Sequence, residues 1–166
     1  MNIDLLKGIS VFVILLLVQV LVLNQIHLFG FATPLLYVYV AMLFRRNYPR
    51  WAILVWCFLM GLGVDVFSDT PGVASAAMTF VGFIQPYVLL LFINRDSPDD
   101  LEPSMRQLGV GKYFLYALIM TFFYCLLFFS LEDFSFFDLL HWLLSVVGST
   151  VLTLLMILVI ENLRRA

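Results

Sequence analysis

The sequence predicts an all-α integral membrane protein that crosses the bilayer several times. Of its 166 residues, 63% are hydrophobic and 12% are charged, and the mean hydropathy is +1.05. A soluble domain is about half apolar and about a quarter charged. Several apolar runs also approach or exceed the roughly 18 residues that mark a membrane-spanning helix. The whole chain, residues 1–166, is therefore predicted to form a single polytopic membrane domain.

The first three apolar stretches are bounded by polar, basic or ring-containing residues. The first follows Lys7 and stops before Asn24, and because no small-residue cleavage site follows, it reads as a helix rather than a signal peptide. The second opens near Pro34, where a missing amide proton costs least. The third starts at Trp51 and runs past Asp65. These predicted helices span about 7–23, 28–44 and 51–67.

The last three stretches include the only sizeable loop of the chain. The fourth begins with small residues after Pro71, and the loop that follows it carries Pro98 and Pro103. This loop, 94–111, is interpreted either as a solvated linker or as a docking site for a partner. The predicted helices span about 72–93, 113–131 and 139–160, with a cytoplasmic loop at 94–112.

The basic residues predict the orientation in the membrane, because loops on the cytoplasmic side carry an excess of lysine and arginine. With six spans and a cytoplasmic amino terminus, all nine basic residues fall on the inside. The charged residues of the outside segments are then all acidic. Both termini are predicted to be cytoplasmic. The inside residues are Lys7, Arg45, Arg46, Arg50, Arg95, Arg106, Lys112, Arg164 and Arg165, and the outside residues are Asp65, Asp69, Glu132, Asp133 and Asp138.

The hairpin between the third and fourth stretches is the most informative segment. Gly61 and Asp65 are one helical turn apart, and the turn that follows contains Ser68 and Gly72. A carboxylate near the end of an apolar helix needs water, a partner or a function nearby. Asp65 is therefore assigned a structural hydrogen-bonding role, with a transport or ligand role and direct contact with a partner as alternatives. Either Asp69 or Thr70 is expected to cap the fourth helix.

Small and amide side chains mark places where helices can pack closely. Gln19 lies within an apolar helix and is expected to bond to a neighbouring helix, and Pro34 is interpreted as a packing device. Small residues let helix backbones approach in a membrane, so the two small-residue stripes are assigned to internal packing or to a partner interface. They are Ser75, Ala76, Thr79 and Gly82 on the fourth helix, and Ser145, Ser149 and Thr153, with Gly148 beside them, on the sixth.

No motif predicts catalysis, a cofactor or a metal. His27 and His141 match no ligand spacing such as a pair four residues apart, and no phosphate loop or nucleophile elbow is present. The depths of Cys57 and Cys125 in their helices argue against a disulfide. The net charge of −2 excludes the electrostatic footprint of nucleic-acid binding.

The stretch 60–83, MGLGVDVFSDTPGVASAAMTFVGF, resembles the rod shape-determining protein MreD family. Gly61, Asp65, Ser68 and Gly72 occupy the matching places of the family's helix–aspartate–turn–helix pattern. Length, topology, Gln19 and Pro34 add weaker support. Pro71 departs from the family, because an aliphatic residue often precedes the glycine there.

The resemblance implies a non-catalytic subunit of the cell-elongation machinery in the bacterial inner membrane. Its fold would be similar to that of the substrate-binding (S) subunits of energy-coupling-factor transporters. It would bind MreC, a bitopic periplasmic scaffold, and through it influence peptidoglycan synthases and MreB. The alternative that the same six-helix plan and buried acid suggest is a subunit for uptake of a vitamin-like small molecule. The sequence leaves open whether the chain forms a homodimer.

Overall fold

The structure is a computed structural model that describes residues 3–22, 35–46, 48–69, 71–98, 101, 103–132 and 138–165. The side chains of Asp4, Leu5 and Arg165 are outside this description. All regular secondary structure in the described residues is helical. The helices are α1 (Ile3–Leu21), α2 (Val38–Met42), α3 (Arg50–Ser68), α4 (Val73–Phe92), α5 (Met105–Leu108), α6 (Val110–Glu132) and α7 (Leu139–Arg165).

Four helices in the described part of the chain, α3, α4, α6 and α7, are long and apolar enough to cross a membrane. The chain is thus a helical protein of multi-pass membrane type. The apolar part of α1, Leu6–Leu21, is shorter. Helices α3 and α4 lie within one residue of the predicted ends, and α7 runs five residues further than predicted.

The described part of the second predicted span, about 28–44, is α-helical over five residues only. Residues 35–37 form a turn region, only Val38–Met42 is α-helical, and residues 43–46 are again irregular. All five residues of α2 are buried. An apolar run of this length has the same composition whether it is helical throughout or only in part, so hydropathy alone does not predict so short a helix.

Buried side chains of two other helices accept hydrogen bonds from the backbone amides at the start of this segment. The Leu36 amide donates to Oε1 of Gln19 at 3.0 Å, and the Leu35 amide donates to Oγ1 of Thr153 at 3.0 Å. Further along, the hydroxyl of Tyr37 is hydrogen-bonded to that of Tyr124. Buried backbone amides need such acceptors. Helices α1 and α7 supply them to this central segment, and α6 binds its Tyr37 hydroxyl.

The long helices pack as a bundle around α2. Helix α3 pairs with α4 as an antiparallel hairpin, α6 pairs with α7, and α4 packs on α6, while α1 lies against α3. The guanidinium of Arg50, at the start of α3, lies 5.1 Å from the ring centre of Tyr87 near the end of α4. The start of α3 and the end of α4 therefore lie at the same end of the bundle.

We call the two ends of the bundle the basic end and the acidic end. The starts of α3 and α6 and the ends of α4 and α7 meet at the basic end, where the lysines and arginines lie. The acidic end carries carboxylates and, among the described residues, no lysine or arginine. Its described acidic residues are Asp65, Asp69, Glu132 and Asp138.

Candidate helix-packing site

Asp65 joins α3 to the beginning of α4 through hydrogen bonds. Its Oδ1 accepts from the Ala74 amide at 2.8 Å, and its Oδ2 accepts from the Ser75 amide at 3.0 Å and from the Ser75 hydroxyl at 2.8 Å. The carboxylate is only 5% exposed. These two amides are among the first four of α4, which have no partner within the helix. The negative charge also lies at the positive end of the helix dipole.

The prediction that Asp69 caps α4 is wrong. The N-cap of α4 is Gly72, which has no side chain to accept a hydrogen bond, and Asp65 reaches over from the preceding helix instead. Asp69 is the C-cap of α3, with φ of 55°. Asparagine and aspartate tolerate this left-handed conformation better than most residues do. Thr70, the other expected cap, lies outside the described residues.

Gly61 allows the two helix backbones to touch one turn before Asp65. A Cβ atom at this position would lie 2.4 Å from Cα of Ser75 and 2.6 Å from the carbonyl oxygen of Ala74. Both are backbone atoms, so neither can move aside by a side-chain rotation. Gly61, Asp65 and Ser75 therefore form one clamp that fixes α3 against the start of α4.

Gly72 and Ser68 complete the hairpin in different ways. Gly72 has φ of 83°, a conformation that side chains rarely adopt, and a Cβ there would meet no atom within 4 Å. Glycine is thus required at this position by the backbone conformation and not by lack of space for a side chain. Ser68 is the last residue of α3. Together they set the change of direction between the two helices.

The outward face of this hairpin is a shallow groove, which we call the hairpin groove. Its lining includes small residues of α4 and aromatic rings of both helices. Close to Asp65 a second depression opens towards the acidic end, with Asp69 and Pro71 at its edge. The hairpin groove is lined by Leu54, Phe58, Gly72, Ser75, Ala76, Thr79, Phe80 and Phe83.

The small-residue stripes of the sequence divide between the bundle interior and its surface. Ala76 is exposed in the hairpin groove, and Thr79 is partly exposed there, with its hydroxyl donating to the Ser75 carbonyl at 2.7 Å. Gly82 faces inward, because a Cβ there would lie 2.7 Å from Sγ of Cys57. On α7, Ser145 and Ser149 are buried in the interior and Gly148 is partly buried. Pro34 lies outside the described residues.

A second polar cluster, at the basic end, was missed by the sequence analysis. Glu161 is 2% exposed. Its Oε2 accepts from the Tyr39 hydroxyl at 2.6 Å, and its Oε1 accepts from the Met105 amide at 3.3 Å. The Arg164 guanidinium lies 3.9 Å away. A sequence signal was present, because Glu161 directly follows the last apolar run, 139–160, and an acid at the end of an apolar helix calls for a partner.

Part of the loop between α4 and α6 is packed on this cluster, whereas its described residues 94–96 and Pro98 are exposed. We call Leu101 together with residues 103–108 the strap. Its apolar side chains at Leu101, Met105 and Leu108 are buried. Its backbone is tied to the segment after α2, because the Arg46 amide donates to the Leu101 carbonyl at 3.2 Å. The strap covers the basic end of the bundle.

The polar side chains at these two sites hold helices together by hydrogen bonds. The hairpin clamp uses a carboxylate to accept backbone amides, and the basic-end cluster does the same with Glu161. Among the residues that the structure describes, no group of three His, Cys, Asp or Glu side chains could hold a metal ion. Cys57 and Cys125 are both buried as free thiols.

Comparisons with protein-family models, with curated proteins and with solved structures find no match to this chain.

Proposed function

We propose that this chain is a non-catalytic membrane scaffold subunit of the bacterial cell-elongation machinery, similar to MreD proteins. In this role it binds an MreC-like bitopic protein and, through it, influences the peptidoglycan synthases and MreB. The proposal includes six membrane-spanning segments in the bacterial inner membrane. It also includes a fold like that of the substrate-binding (S) subunits of energy-coupling-factor transporters.

The observation that carries this proposal is the clamped hairpin of α3 and α4. Gly61 and Asp65, two of the four residues on which the MreD resemblance rests, hold the start of α4 against α3. A hairpin fixed in this way presents its outward face as a rigid surface. Since rigid surfaces lose less entropy on binding, the hairpin groove is suited to receive another helix in the bilayer.

The orientation follows from the charge separation between the two ends. If the basic end faces the cytoplasm, as the positive-inside rule requires, both termini are cytoplasmic. The acidic end and the turn after Asp65 then face the periplasm, where the folded part of a bitopic partner would lie.

The uptake alternative receives less support from the described part of the chain. A substrate-binding subunit needs a polar-lined cavity between its helices, reached from outside. Here the buried segment Leu35–Met42 fills the middle of the bundle, and the groove beside Ala76 lies on the outer face of the hairpin. We therefore favour recognition of a protein partner over recognition of a small molecule.

The test is co-purification with an MreC-like bitopic protein from the same genome, co-expressed and extracted in mild detergent. Ala76→Phe places a ring on the floor of the hairpin groove, whereas Val151→Phe places the same ring on the exposed face of α7. We expect Ala76→Phe to weaken the complex roughly tenfold or more, which corresponds to about 1.4 kcal/mol. Val151→Phe should leave it unchanged.

Two outcomes would count against the proposal in different ways. Failure of the unchanged chain to retain the bitopic protein would oppose the scaffold role itself. Retention by both variants would oppose only the hairpin groove as the contact surface.

A further inference from the structure

We propose that the partner helix in the hairpin groove is followed, at the acidic end, by a lysine or arginine whose side chain lies in the neighbouring depression and pairs with Asp69. This inference rests on the proposed function and names the chemistry of the partner at the same surface. The occupant is one segment of a bitopic protein: an apolar helix with a basic residue directly after it on the acidic-end side.

The depression continues the hairpin groove towards the acidic end, because Gly72 lines both. Gly72 is exposed and lies between the end of α3 and the start of α4. A helix seated along Phe83, Thr79 and Ala76 therefore arrives at the depression when it leaves the groove. The first residues after the apolar segment of the partner are the ones that face the depression.

The lining of the depression suits a long side chain with an apolar stem and a charged head. Leu62 and Val66 lie one turn apart on α3 and are 43% and 69% exposed. Asp69 is exposed beyond them, at the end of the helix. Lysine and arginine lay their methylene stems along apolar surface while the charged group stays in water. A basic side chain thus matches both parts of the lining.

The backbone conformation at Asp69 does not call for a negative charge. Asparagine tolerates the left-handed conformation as aspartate does. Asp69 is also the C-cap of α3, at the negative end of that helix's dipole, where an acidic side chain is unfavourable and a cation is favourable. The positive end of α4 is already met by Asp65. A basic group in the depression is attracted by both the Asp69 carboxylate and the last carbonyls of α3.

The chain itself has no lysine or arginine in the turns at the acidic end. Its sequence contains none in 8–44, 51–94 or 113–163, and these ranges include the turn between α3 and α4 and the residues between α6 and α7. A lysine or arginine that pairs with Asp69 therefore comes from another molecule. Basic residues next to a span are uncommon on the outer side of a membrane, so this requirement separates one bitopic protein from most others.

The experiment measures the affinity of this chain for the MreC-like bitopic protein from the same genome, in mild detergent at low salt. Asp69→Asn removes the charge and keeps a residue suited to the backbone, and Asp69→Lys reverses the charge. We expect the complex to weaken about fivefold for Asp69→Asn. Asp69→Lys should weaken it about twentyfold or more, because like charges then face each other. High salt should weaken the parent complex and leave that of Asp69→Asn unchanged.

Asp138→Asn is the matched control, because Asp138 is an exposed acid at the same end but lies just before α7. Asparagine keeps a side-chain oxygen for the hydrogen bond that Asp138 accepts from the His141 amide at 3.3 Å. This variant should bind the bitopic protein as the parent chain does.

A substitution in the partner separates a lost charge pair from a damaged hairpin. Replacing the first lysine or arginine after the partner's apolar segment by glutamate should weaken binding to the parent chain. Combining this replacement with Asp69→Lys should restore binding, since the pair is then re-formed with the charges exchanged. A lysine that had only disturbed the turn would not be rescued by a change in the other protein.

The outcomes distinguish this inference from the proposed function. If the unchanged chain retains no bitopic protein, the proposed function is overturned and this inference with it. Two results overturn this inference alone while the parent complex forms. One is equal binding by the parent, Asp69→Asn and Asp69→Lys; the other is a bound partner without lysine or arginine in about the first two helical turns after its apolar segment.

Discussion

At the scale of single residues, Asp65 replaces the cap that the turn does not supply. The residue at the N-cap of α4 is glycine, so the amides of Ala74 and Ser75 would be buried without an acceptor if Asp65 were absent. The same carboxylate binds the Ser75 hydroxyl. Asp65 lowers the hydropathy of the third apolar stretch, yet its carboxylate forms part of the contact between α3 and α4.

Replacing Asp65 by alanine is expected to lower the free energy of unfolding by roughly 2–4 kcal/mol, because two buried amides and a hydroxyl lose their acceptor. Asp65→Asn should cost less, since one oxygen remains. The measurement is equilibrium unfolding in mixed detergent micelles. Asp69→Asn is the matched control, because Asp69 is exposed and asparagine also tolerates its left-handed backbone; its effect should stay below about 0.5 kcal/mol. Equal effects of the two substitutions would contradict the capping role.

Gly61→Ala is expected to destabilise the protein by about 2 kcal/mol or more, because the added methyl group meets the backbone of α4 rather than a movable side chain. Gly8→Ala on α1 is its control. A Cβ at Gly8 meets no atom within 4 Å, so this change should be neutral or stabilise the helix by up to about 1 kcal/mol. The same unfolding measurement compares both. A Gly61→Ala variant as stable as the parent would show that α3 and α4 are less closely packed.

At the scale of elements, the short helix α2 is held by the helices around it rather than by its own length. Five residues make too short a helix to be stable alone. Side chains from α1 and α7 accept the two amides that precede it. Its Tyr39 reaches Glu161 at the far end of α7. This element therefore links the centre of the bundle to the strap.

Gln19→Leu is expected to cost roughly 1–3 kcal/mol of stability, because the buried Leu36 amide loses its acceptor. Thr153→Val should have a similar effect through Leu35. Thr121→Val serves as the control, since Thr121 is equally buried but its hydroxyl has no partner among the described residues. That change should be neutral or stabilising. Thermal unfolding of the three variants in detergent measures the difference, and a larger loss for Thr121→Val than for Thr153→Val would refute this account.

At the scale of the whole molecule, the bundle has one basic and one acidic end, and this asymmetry predicts its orientation in the membrane. The strap lies at the basic end and the hairpin turn at the acidic end. The hairpin groove extends along the hairpin between these two ends, from Leu54 to Gly72.

The orientation is testable with two exposed positions, Gln107 near the basic end and His141 near the acidic end. We expect His141→Cys to be labelled by a membrane-impermeant maleimide on intact cells. Gln107→Cys should be labelled only after the membrane is opened, because basic segments stay on the cytoplasmic side. The native cysteines should contribute little, being buried. Labelling of Gln107→Cys on intact cells would reverse the proposed orientation.

The sequence by itself determined the helical membrane class, the positions of α3 and α4 to within one residue, and the structural hydrogen-bonding role of Asp65. These features follow from composition, from the length of apolar runs and from local turn chemistry, all of which are properties of neighbouring residues. It did not predict that the described part of the second apolar run holds a helix of only five residues, since hydropathy is the same for a helical and an irregular apolar segment.

Only the tertiary structure decided which buried hydrogen-bond donors and acceptors pair with each other. Asp65 caps a helix that begins eight residues later, Gln19 and Thr153 receive the two amides before α2, and Glu161 holds the strap. Each of these contacts joins residues that become neighbours only when helices pack. A buried amide or carboxylate must find a partner, but its own sequence surroundings do not say which distant side chain folding will bring within 3 Å.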